Sequence, residues 1–542
     1  MIESGNGRGS GQVARWVSLF GLLLAVTAVG ATAATAAPSA ARSGVAEDTV
    51  AKRRVPASRV EGGDVASSDP VTQDALWTWS GAGSALFQDG IYNGVCTNPT
   101  ETCSVPAWTA NIQEFGFPSM TTDGVNMYLI AEQGGVDGPQ WSWSCPLAGY
   151  GTGCTAIFTG RHYQDDGYWW TNFSSAAAVD AEGAIGPAGK TYIFIGVYSR
   201  NSEDWNGILR CPSDVAPSDA DYASTCVTVD WSGAQRGGHM PYSMVVANGY
   251  LWVGLRSYNL KFGSPLSGLV WRCQLWKTNS CTVWDDPGDN APVRDGLEVG
   301  GGYLWVALGP DHSSKPGIIW RCDMSVANGC TVWDTTPTGI YKISYDGQGT
   351  LYVAVSGKSS SPGMVWSCPI ATKNSCTKAP STDLGGYVFS VEAGPAGAFA
   401  VSSNSDNGFG ELTYGSQVLE SWGGSTYKSQ MMYVPVGGPR APGAVNVDVP
   451  FVGATSKLET RCAKGGKVRA EVSVRGPFGM RMKRRVDLCS AREAGHDGLH
   501  FGALDPGSYS FAVRVGKHRW GGTAEVERGA TTDIEVALGS KK

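Results

Sequence analysis

The sequence is poor in charge and in histidine, and after its N-terminal segment it has no long apolar run. Of its 542 residues, 17% are charged, six are histidine and 42% are hydrophobic. The charged fraction is below that of an average soluble protein, but the apolar content suffices for a large core. Because no later stretch has the length of a membrane-spanning helix, the sequence predicts a mature protein without a membrane span.

Short catalytic signatures are absent as well. The sequence contains no P-loop, no G-x-S-x-G, no H-E-x-x-H and no Asp-box, so these motifs indicate no enzyme class. It also lacks the D-x-[DN]-x-[DN]-G spacing of calcium loops. The acidic balance is compatible with a structural Ca²⁺, but no motif supports one. We therefore assign no metal and no cofactor.

The N-terminal segment has the pattern of a secretory signal peptide. Arg8 and Arg15 precede a short apolar run from Trp16 to Gly30, and an Ala-rich stretch follows. A basic start, an apolar centre and small residues before a cleavage site are typical of such signals. We predict a signal peptide over residues 1–37, a linker or pro-segment over residues 38–74, and an extracellular location. A net charge of −6 in an exported protein argues against nucleic-acid partners.

The fourteen cysteines fall into seven neighbouring pairs. Most pairs have seven or eight intervening residues rather than the two to four of a zinc site, and no histidine recurs beside them. In an oxidising compartment such pairs form disulfides. The predicted bonds are Cys96–Cys103, Cys145–Cys154, Cys211–Cys226, Cys273–Cys281, Cys322–Cys330, Cys368–Cys376 and Cys462–Cys489.

An internal repeat is the strongest signal in the sequence. Residues 269–273 (LVWRC), 318–322 (IIWRC) and 364–368 (MVWSC) are copies of one unit, and each is followed by a second cysteine and a threonine. The first cysteines of successive pairs lie 49, 66, 62, 49 and 46 residues apart, close to the length of a four-stranded propeller blade. In one copy, the predicted strands A to D are residues 243–247, 250–255, 268–273 and 281–284.

Counting the copies predicts an all-β fold, an about seven-bladed β-propeller over residues 75–435. Six cysteine pairs indicate six blades, and a cysteine-free copy over residues 387–422 adds one. Six or eight blades remain open, because the first copy, from Leu76, is degenerate. Each disulfide is expected to join strand C to the exposed outer strand D. The tryptophan two residues before its first cysteine is predicted to pack between blades.

A Gly/Pro-rich linker over residues 436–446 precedes a small β-sandwich predicted over residues 447–542. The segment Leu504-Asp-Pro-Gly-Ser-Tyr-Ser-Phe-Ala-Val513 resembles the L-x-P-G-x-Y turn and strand of prealbumin-like and carboxypeptidase-regulatory-like β-sandwiches. The resemblance covers one hairpin and implies a fold rather than an activity. The bond between Cys462 and Cys489 is expected to staple this fold.

Charge divides the chain. Residues 444–542 hold 17 Lys and Arg against 11 Asp and Glu, whereas residues 76–443 hold 18 against 30. A basic cluster in the tail is either a solvated face or an attachment to an anionic surface such as an acidic polysaccharide. Its residues are Arg481, Lys483, Arg484 and Arg485.

The loops that join strand D to strand A and strand B to strand C share one face of a propeller, conventionally the ligand face. All three propeller histidines, His162, His239 and His312, fall on such loops. The same loops are rich in aromatic and charged residues, a composition that indicates a binding site.

Three functions compete for this face, with glycan or cell-surface binding placed first. Aromatic rings would stack on the apolar faces of sugars and polar side chains would hold their hydroxyls or carboxylates. The candidate ligand-binding residues are Trp169, Trp170, Trp205, Tyr163, Tyr258, Asp165, Asp166, Arg236 and His312.

Polysaccharide cleavage is the alternative. A lyase acting on a uronic acid needs a carboxylate neutraliser, a base and an acid, and Arg, His and Tyr are suitable types. A hydrolase would instead need paired carboxylates, for which Glu132, Asp165 and Asp166 show no convincing spacing. The third hypothesis is a protein-interaction scaffold that uses the same aromatic loops. The candidate catalytic residues are His239, Tyr242, Arg256, His162 and Tyr198.

Overall fold

The computed structural model covers most of residues 71–538. It describes this span apart from residue 72 and the segments 82–93, 98–118, 131–140, 151–152, 159–169, 181–182, 200–206, 216–225, 232–238, 258–266, 290–292, 310–315, 358–361, 381–383, 385–386, 405–408, 424–426, 437–442, 449–455, 478–479, 488, 490–497, 517, 529–530 and 536. The predicted signal peptide and the Cys96–Cys103 bond lie outside the described residues.

Successive antiparallel sheets make up the propeller. The chain begins with β1 (Ala75–Gly81) and β2 (Gly94–Thr97). Blade 1 holds β3 (Ser119–Thr122), β4 (Asn126–Ile130), β5 (Trp141–Pro146) and β6 (Thr155–Phe158), with a short 3₁₀ helix at Leu147–Gly149. Blade 2 holds β7 (Trp170–Asp180), β8 (Lys190–Ser199), β9 (Gly207–Pro212) and β10 (Val227–Trp231). Blade 3 holds β11 (His239–Ala247), β12 (Tyr250–Ser257), β13 (Ser267–Gln274) and β14 (Thr282–Asp289).

The second half repeats the pattern. Blade 4 holds β15 (Val293–Gly300), β16 (Tyr303–Leu308), β17 (Gly317–Cys322) and β18 (Cys330–Thr336). Blade 5 holds β19 (Ile340–Tyr345), β20 (Thr350–Val355), β21 (Met364–Pro369) and β22 (Thr377–Lys378). Blade 6 holds β23 (Tyr387–Ala393), β24 (Ala398–Asn404), β25 (Phe409–Tyr414) and β26 (Gln417–Gly423), and β27 (Tyr427–Val434) follows. The chain thus forms four-stranded blades in series, as the repeat predicts.

The two ends of the propeller meet in a composite last blade. Strand β1 pairs with β2 on one side and with β27 on the other. The residues from Leu76 onward are therefore not a separate first blade, as the sequence suggested, but complete blade 7. The innermost strands β3, β7, β11, β15, β19, β23 and β27 contact one another in turn, and β27 also contacts β3. A ring of seven blades is closed in this way, so each inner strand packs between two neighbouring ones, and the edges that remain are the short outer strands of the blades.

Blade 3 shows why the local sequence folds as it does. Its four strands overlap the predicted segments, and Asn248 and Gly249 adopt positive φ in the tight turn between A and B. Strand β11 begins at His239 rather than at residue 243, so the prediction that His239 lies on a loop is wrong. Trp271 is fully buried in a cluster that combines side chains of blades 2 and 3, so its predicted packing role is confirmed. Six of the predicted disulfides are present: Cys145–Cys154, Cys211–Cys226, Cys273–Cys281, Cys322–Cys330, Cys368–Cys376 and Cys462–Cys489.

A recurring aspartate links neighbouring blades. Asp285, buried at the outer strand of blade 3, accepts a hydrogen bond from the backbone N–H of Cys330 in blade 4 at 2.9 Å. Asp334 does the same for Cys376 at 2.9 Å, and Asp230 for Cys281 at 3.1 Å. In blades 3, 4 and 5, the second cysteine of the disulfide is therefore fixed to the preceding blade as well as to its own.

The C-terminal region has two sheets around one core. Its elements are β28 (Gly443–Asp448), α1 (Ser456–Ala463), β29 (Arg469–Arg475), β30 (Arg481–Asp487), β31 (Gly498–Leu504), β32 (Gly507–Val515), β33 (His518–Val526), β34 (Thr531–Glu535) and β35 (Ala537–Leu538). The sheets have the orders β31-β28-β34 and β30-β29-β32-β33-β35. Val445, Phe501 and Leu504 of the first share a cluster with Val472 and Phe511 of the second. The relation of this region to prealbumin-like sandwiches stays a prediction.

Within the described residues, no helix has the length and apolar character needed to cross a membrane.

The C-terminal region lies against the A–B turns of blades 4 and 5. Asp505 accepts hydrogen bonds from the hydroxyl of Tyr345 at 2.6 Å and from the backbone N–H of Gly301 at 3.4 Å. The Tyr303 hydroxyl donates to the carbonyl oxygen of Arg481 at 3.2 Å. Gly302 is required here because a Cβ at this position would lie 2.6 Å from the sulfur of Met482.

The basic cluster is only partly a solvated face. Arg484 is buried and pairs with Asp323 of blade 4, with Nη2 and Oδ1 3.0 Å apart, so the expectation that it contacts an anionic surface is wrong. Side chains on β30 alternate between buried and exposed positions, and Lys483 and Arg485 are exposed. The Lys483 ammonium pairs with Glu471 at 3.0 Å.

Candidate binding site at the channel mouth

A polar cavity of about 250 Å³ lies where the innermost strands meet. All seven inner strands contribute to its lining, among them Tyr242 of β11, Glu298 of β15 and Lys342 of β19. The Lys342 ammonium donates to the carbonyl oxygen of Met431 at 3.1 Å and lies 3.9 Å from Glu392 Oε2. The described channel lining therefore holds the Lys342 cation beside the carboxylate of Glu392, and Glu298 adds a second acidic side chain to the lining.

A β-bulge recurs in the inner strands. The pairing of strands A and B skips one residue in each of β7, β11, β19 and β23. A bulge leaves its extra residue out of the ladder and redirects the side chain. The four skipped residues are all aromatic: Phe173, Tyr242, Tyr341 and Phe389.

In these four strands the bulge lies in the first half of the strand, which follows the D–A loop. The bulges are therefore near the predicted ligand face. Tyr341 and Phe389 of neighbouring blades contact each other, with ring centroids 5.2 Å apart. Neither residue was among the candidates predicted from the sequence. The signal that could have found them is an aromatic residue followed by Ser or Lys in these four inner strands, as in Tyr341-Lys342 and Phe389-Ser390.

Small residues on strand B let the next blade approach the bulge. A Cβ on Gly196 would lie 2.9 Å from the carbonyl oxygen of Pro241. The same carbonyl accepts a hydrogen bond from the Ser174 hydroxyl at 3.2 Å. This contact joins blades 2 and 3 directly beside the bulge that carries Tyr242.

Three candidate catalytic residues come together on blade 3. His239 begins β11 and pairs with Ser257, while Arg256 of β12 pairs with the next residue, Met240. The guanidinium carbon of Arg256 lies 5.3 Å from the ring centroid of Tyr242, a cation–π distance. His239 is only 8% exposed, so the imidazole is held within the blade, whereas Tyr242 reaches the cavity.

Two further candidates lie at the same end of blade 2. Trp170 begins β7 and pairs with Ser199, next to Tyr198 near the end of β8. The backbone thus brings Trp170 and Tyr198 to the face that holds His239. The remaining site residues lie outside the described residues: His162, Tyr163, Asp165, Asp166, Trp169, Trp205, Arg236, Tyr258 and His312.

The described side chains do not indicate a metal centre. No group of three His, Cys, Asp or Glu residues that could hold a metal ion occurs among them. Among the described residues, the mouth offers the ring of Tyr242 and the guanidinium of Arg256 beside the polar channel lining, while His239 is buried next to them.

Comparison with known proteins finds no family, and the solved structures named below are distant likenesses. No protein-family model matches the sequence, and no curated protein matches it. A chain from a nidogen/laminin complex is similar to 58% of this chain over 97% of its own length, with 10% identity and a TM-score of 0.33. The WD40 β-propeller domain of Doa1 covers 56% of this chain and 81% of its own at 12% identity and TM-score 0.33. The Dos1 propeller covers 57% and 84% at 10% identity and TM-score 0.34. Likenesses of this size extend to no site or activity.

Proposed function

We propose that the protein is a secreted binding protein that holds a glycan at the channel mouth on blades 2 and 3. The observation that carries this proposal is the stacking of Arg256 on Tyr242 at the edge of the polar cavity. An aromatic ring beside a guanidinium offers a sugar both an apolar surface and a charged hydrogen-bond donor.

The surroundings support an extracellular glycan ligand. Six disulfides fit an oxidising compartment. The cavity floor, with Lys342 and Glu392, is polar and suits hydroxyl groups better than an apolar ligand. Trp170 at the start of β7 adds an aromatic residue at the same end of blade 2.

A matched pair of arginine variants tests the site. Arg256 and Arg272 both stack on aromatic rings within blade 3, but Arg272 contacts Tyr250 beside the A–B turn at the opposite end. The purified protein is first screened against neutral and acidic polysaccharides by affinity electrophoresis. For the retained polysaccharide, we expect Arg256→Gln to weaken binding by about tenfold or more and Arg272→Gln to leave it unchanged.

The same mixtures reveal turnover. Reducing ends and the ultraviolet absorbance of unsaturated uronates are followed in parallel. Released product that disappears in His239→Ala would replace the binding function by polysaccharide cleavage. Retention of no polysaccharide at all, or equal losses in both arginine variants, would contradict a glycan site at the channel mouth.

A further inference from the structure

A second cavity lies between the propeller and the C-terminal region, away from the channel mouth. Its volume is about 290 Å³, and its lining comes from blade 4, blade 5 and the start of β30. The lining residues are Tyr303, Arg321, Ile370, Ala371, Met480 and Arg481. This crevice combines two guanidinium groups with an apolar wall.

Arg321 is held rigidly at the crevice. Its guanidinium carbon lies 4.5 Å from the ring centroid of Tyr303 and 3.9 Å from that of Trp333. Tyr303 is itself tied to the C-terminal region through its bond to the carbonyl oxygen of Arg481. A cation between two aromatic faces loses rotational freedom, so binding a ligand would cost little further ordering.

Neither guanidinium is ion-paired with a carboxylate in the part of the chain that the structure describes. Neither Arg321 nor Arg481 makes an ion pair within 4.0 Å with any acidic side chain of the described part of the chain. The nearby carboxylate of Asp323 is occupied, because Arg484 contacts its two oxygens at 3.0 and 3.3 Å. Burial is the main cause that lowers the pKa of Arg321, so this cation has lost solvation that an anion could replace.

We propose that the crevice binds a small organic carboxylate of about the size of a hexuronic acid. Arg321 and Arg481 hold the carboxylate, since guanidinium groups match the planar geometry of this anion. Ile370 and Met480 contact the apolar side of the ligand. The site is independent of the glycan site on blades 2 and 3.

The repeat supplies the controls. Arg272 occupies the position of Arg321 in blade 3 and has the same stack, 4.6 Å from Tyr250 and 4.0 Å from Trp284. In blade 5 the corresponding residue is Ser367, opposite Tyr352. Arg321→Ser therefore installs a side chain that another blade already uses, and Arg272→Ser removes the same stack elsewhere.

The probe is D-glucuronate, with D-glucose as its neutral counterpart, titrated calorimetrically into the full chain at low salt. We expect glucuronate to bind and glucose not to bind. Arg321→Ser and Arg481→Ala should each weaken glucuronate binding about tenfold or more, while Arg272→Ser leaves it unchanged. Arg481→Ala keeps the carbonyl that Tyr303 contacts and changes an exposed side chain, so it remains informative if Arg321→Ser folds poorly.

Several outcomes would overturn the proposal. Absence of glucuronate binding would do so, as would an equal loss in Arg272→Ser, which would indicate an effect on blade stability. Weakening by Arg256→Gln but not by Arg481→Ala would place glucuronate at the channel mouth instead. That result would contradict the crevice proposal and leave the channel-mouth proposal standing. Weakening by Arg481→Ala but not by Arg256→Gln would support the crevice independently of the channel mouth.

Discussion

One buried carboxylate, that of Asp505, joins the C-terminal region to two blades of the propeller. Asp505 is 4% exposed, and both of its oxygens accept hydrogen bonds from blades 4 and 5. Burial, opposed by the bonds from Tyr345 and Gly301, raises the pKa of Asp505 to about 6. The charged form is therefore disfavoured in the folded protein.

This pKa predicts a stability that falls with rising pH. The pKa of Asp505 in the folded protein lies above its usual value of 3.8. Its contribution to the free energy of unfolding is therefore fully present below pH 3.8 and is lost as the pH rises through 6. The expected change is about 3 kcal/mol at most. Urea unfolding of the wild type and of Asp505→Asn between about pH 4 and pH 8 measures it, and the variant should show a flatter profile.

Tyr345→Phe sharpens this test. The Tyr345 hydroxyl favours the ionised carboxylate, so its removal should shift the transition of Asp505 to higher pH. A shift to lower pH in Tyr345→Phe, or an unchanged profile in Asp505→Asn, would exclude Asp505 as the titrating group.

At the scale of elements, the blade is stabilised by repeated contacts that join it to its neighbour. Asp285 follows Trp284 at the outer strand of blade 3 and accepts the N–H of Cys330. Next to it, the N–H of Asn328 donates to the carbonyl oxygen of Trp284 at 2.9 Å. The C–D hairpins of blades 3, 4 and 5 are each bonded in this way to the outer strand of the preceding blade.

Asp285→Ala should lower the free energy of unfolding by about 1–3 kcal/mol, since it leaves the partly buried N–H of Cys330 without its acceptor. Asp285→Asn retains an acceptor oxygen and should lose less. Chemical denaturation measures both variants, with the exposed neighbour changed in Asp286→Ala as the control. Equal losses in Asp285→Asn and Asp285→Ala would show that the charge rather than the hydrogen bond matters.

At the scale of the molecule, closure of the ring depends on strands from opposite ends of the propeller. Thr78 of β1 pairs with Met431 of β27 on one side and with Gly94 of β2 on the other. Leu76 of the same strand is fully buried in a cluster with Phe399 of blade 6 and Met431 of blade 7. Strand β1 is therefore the central strand of blade 7.

Thr78→Pro should destabilise the whole ring. Proline removes a ladder donor from a central strand and leaves its acceptor unsatisfied, at a cost of about 1–3 kcal/mol before any distortion of the strand. The matched control is Thr377→Pro in β22, an exposed outer strand of two residues. Thermal unfolding and limited proteolysis should detect a large loss in Thr78→Pro and a small one in Thr377→Pro. Comparable losses would mean that β1 does not close the ring.

The candidate site was predictable in part. Residue types and loop positions pointed to His239, Tyr242 and Arg256, and the strand register brings them together. Tyr341 and Phe389 were missed, because a bulge breaks the alternation from which strand faces are read. The crevice at Arg321 and Arg481 could not be foreseen, since its halves lie in regions that show no sequence relation to each other.

The sequence alone determined the local units: the alternation of each strand, the turn at Asn248-Gly249 and the pairing of neighbouring cysteines. These depend on contacts within a few residues, which local composition specifies. Only the tertiary structure decided that β1 joins β27, that Arg484 is buried against Asp323, and that Asp505 lies beneath Tyr345. Such contacts join residues far apart in the chain, and they form only where the closed ring and the docked sheets bring their surfaces together.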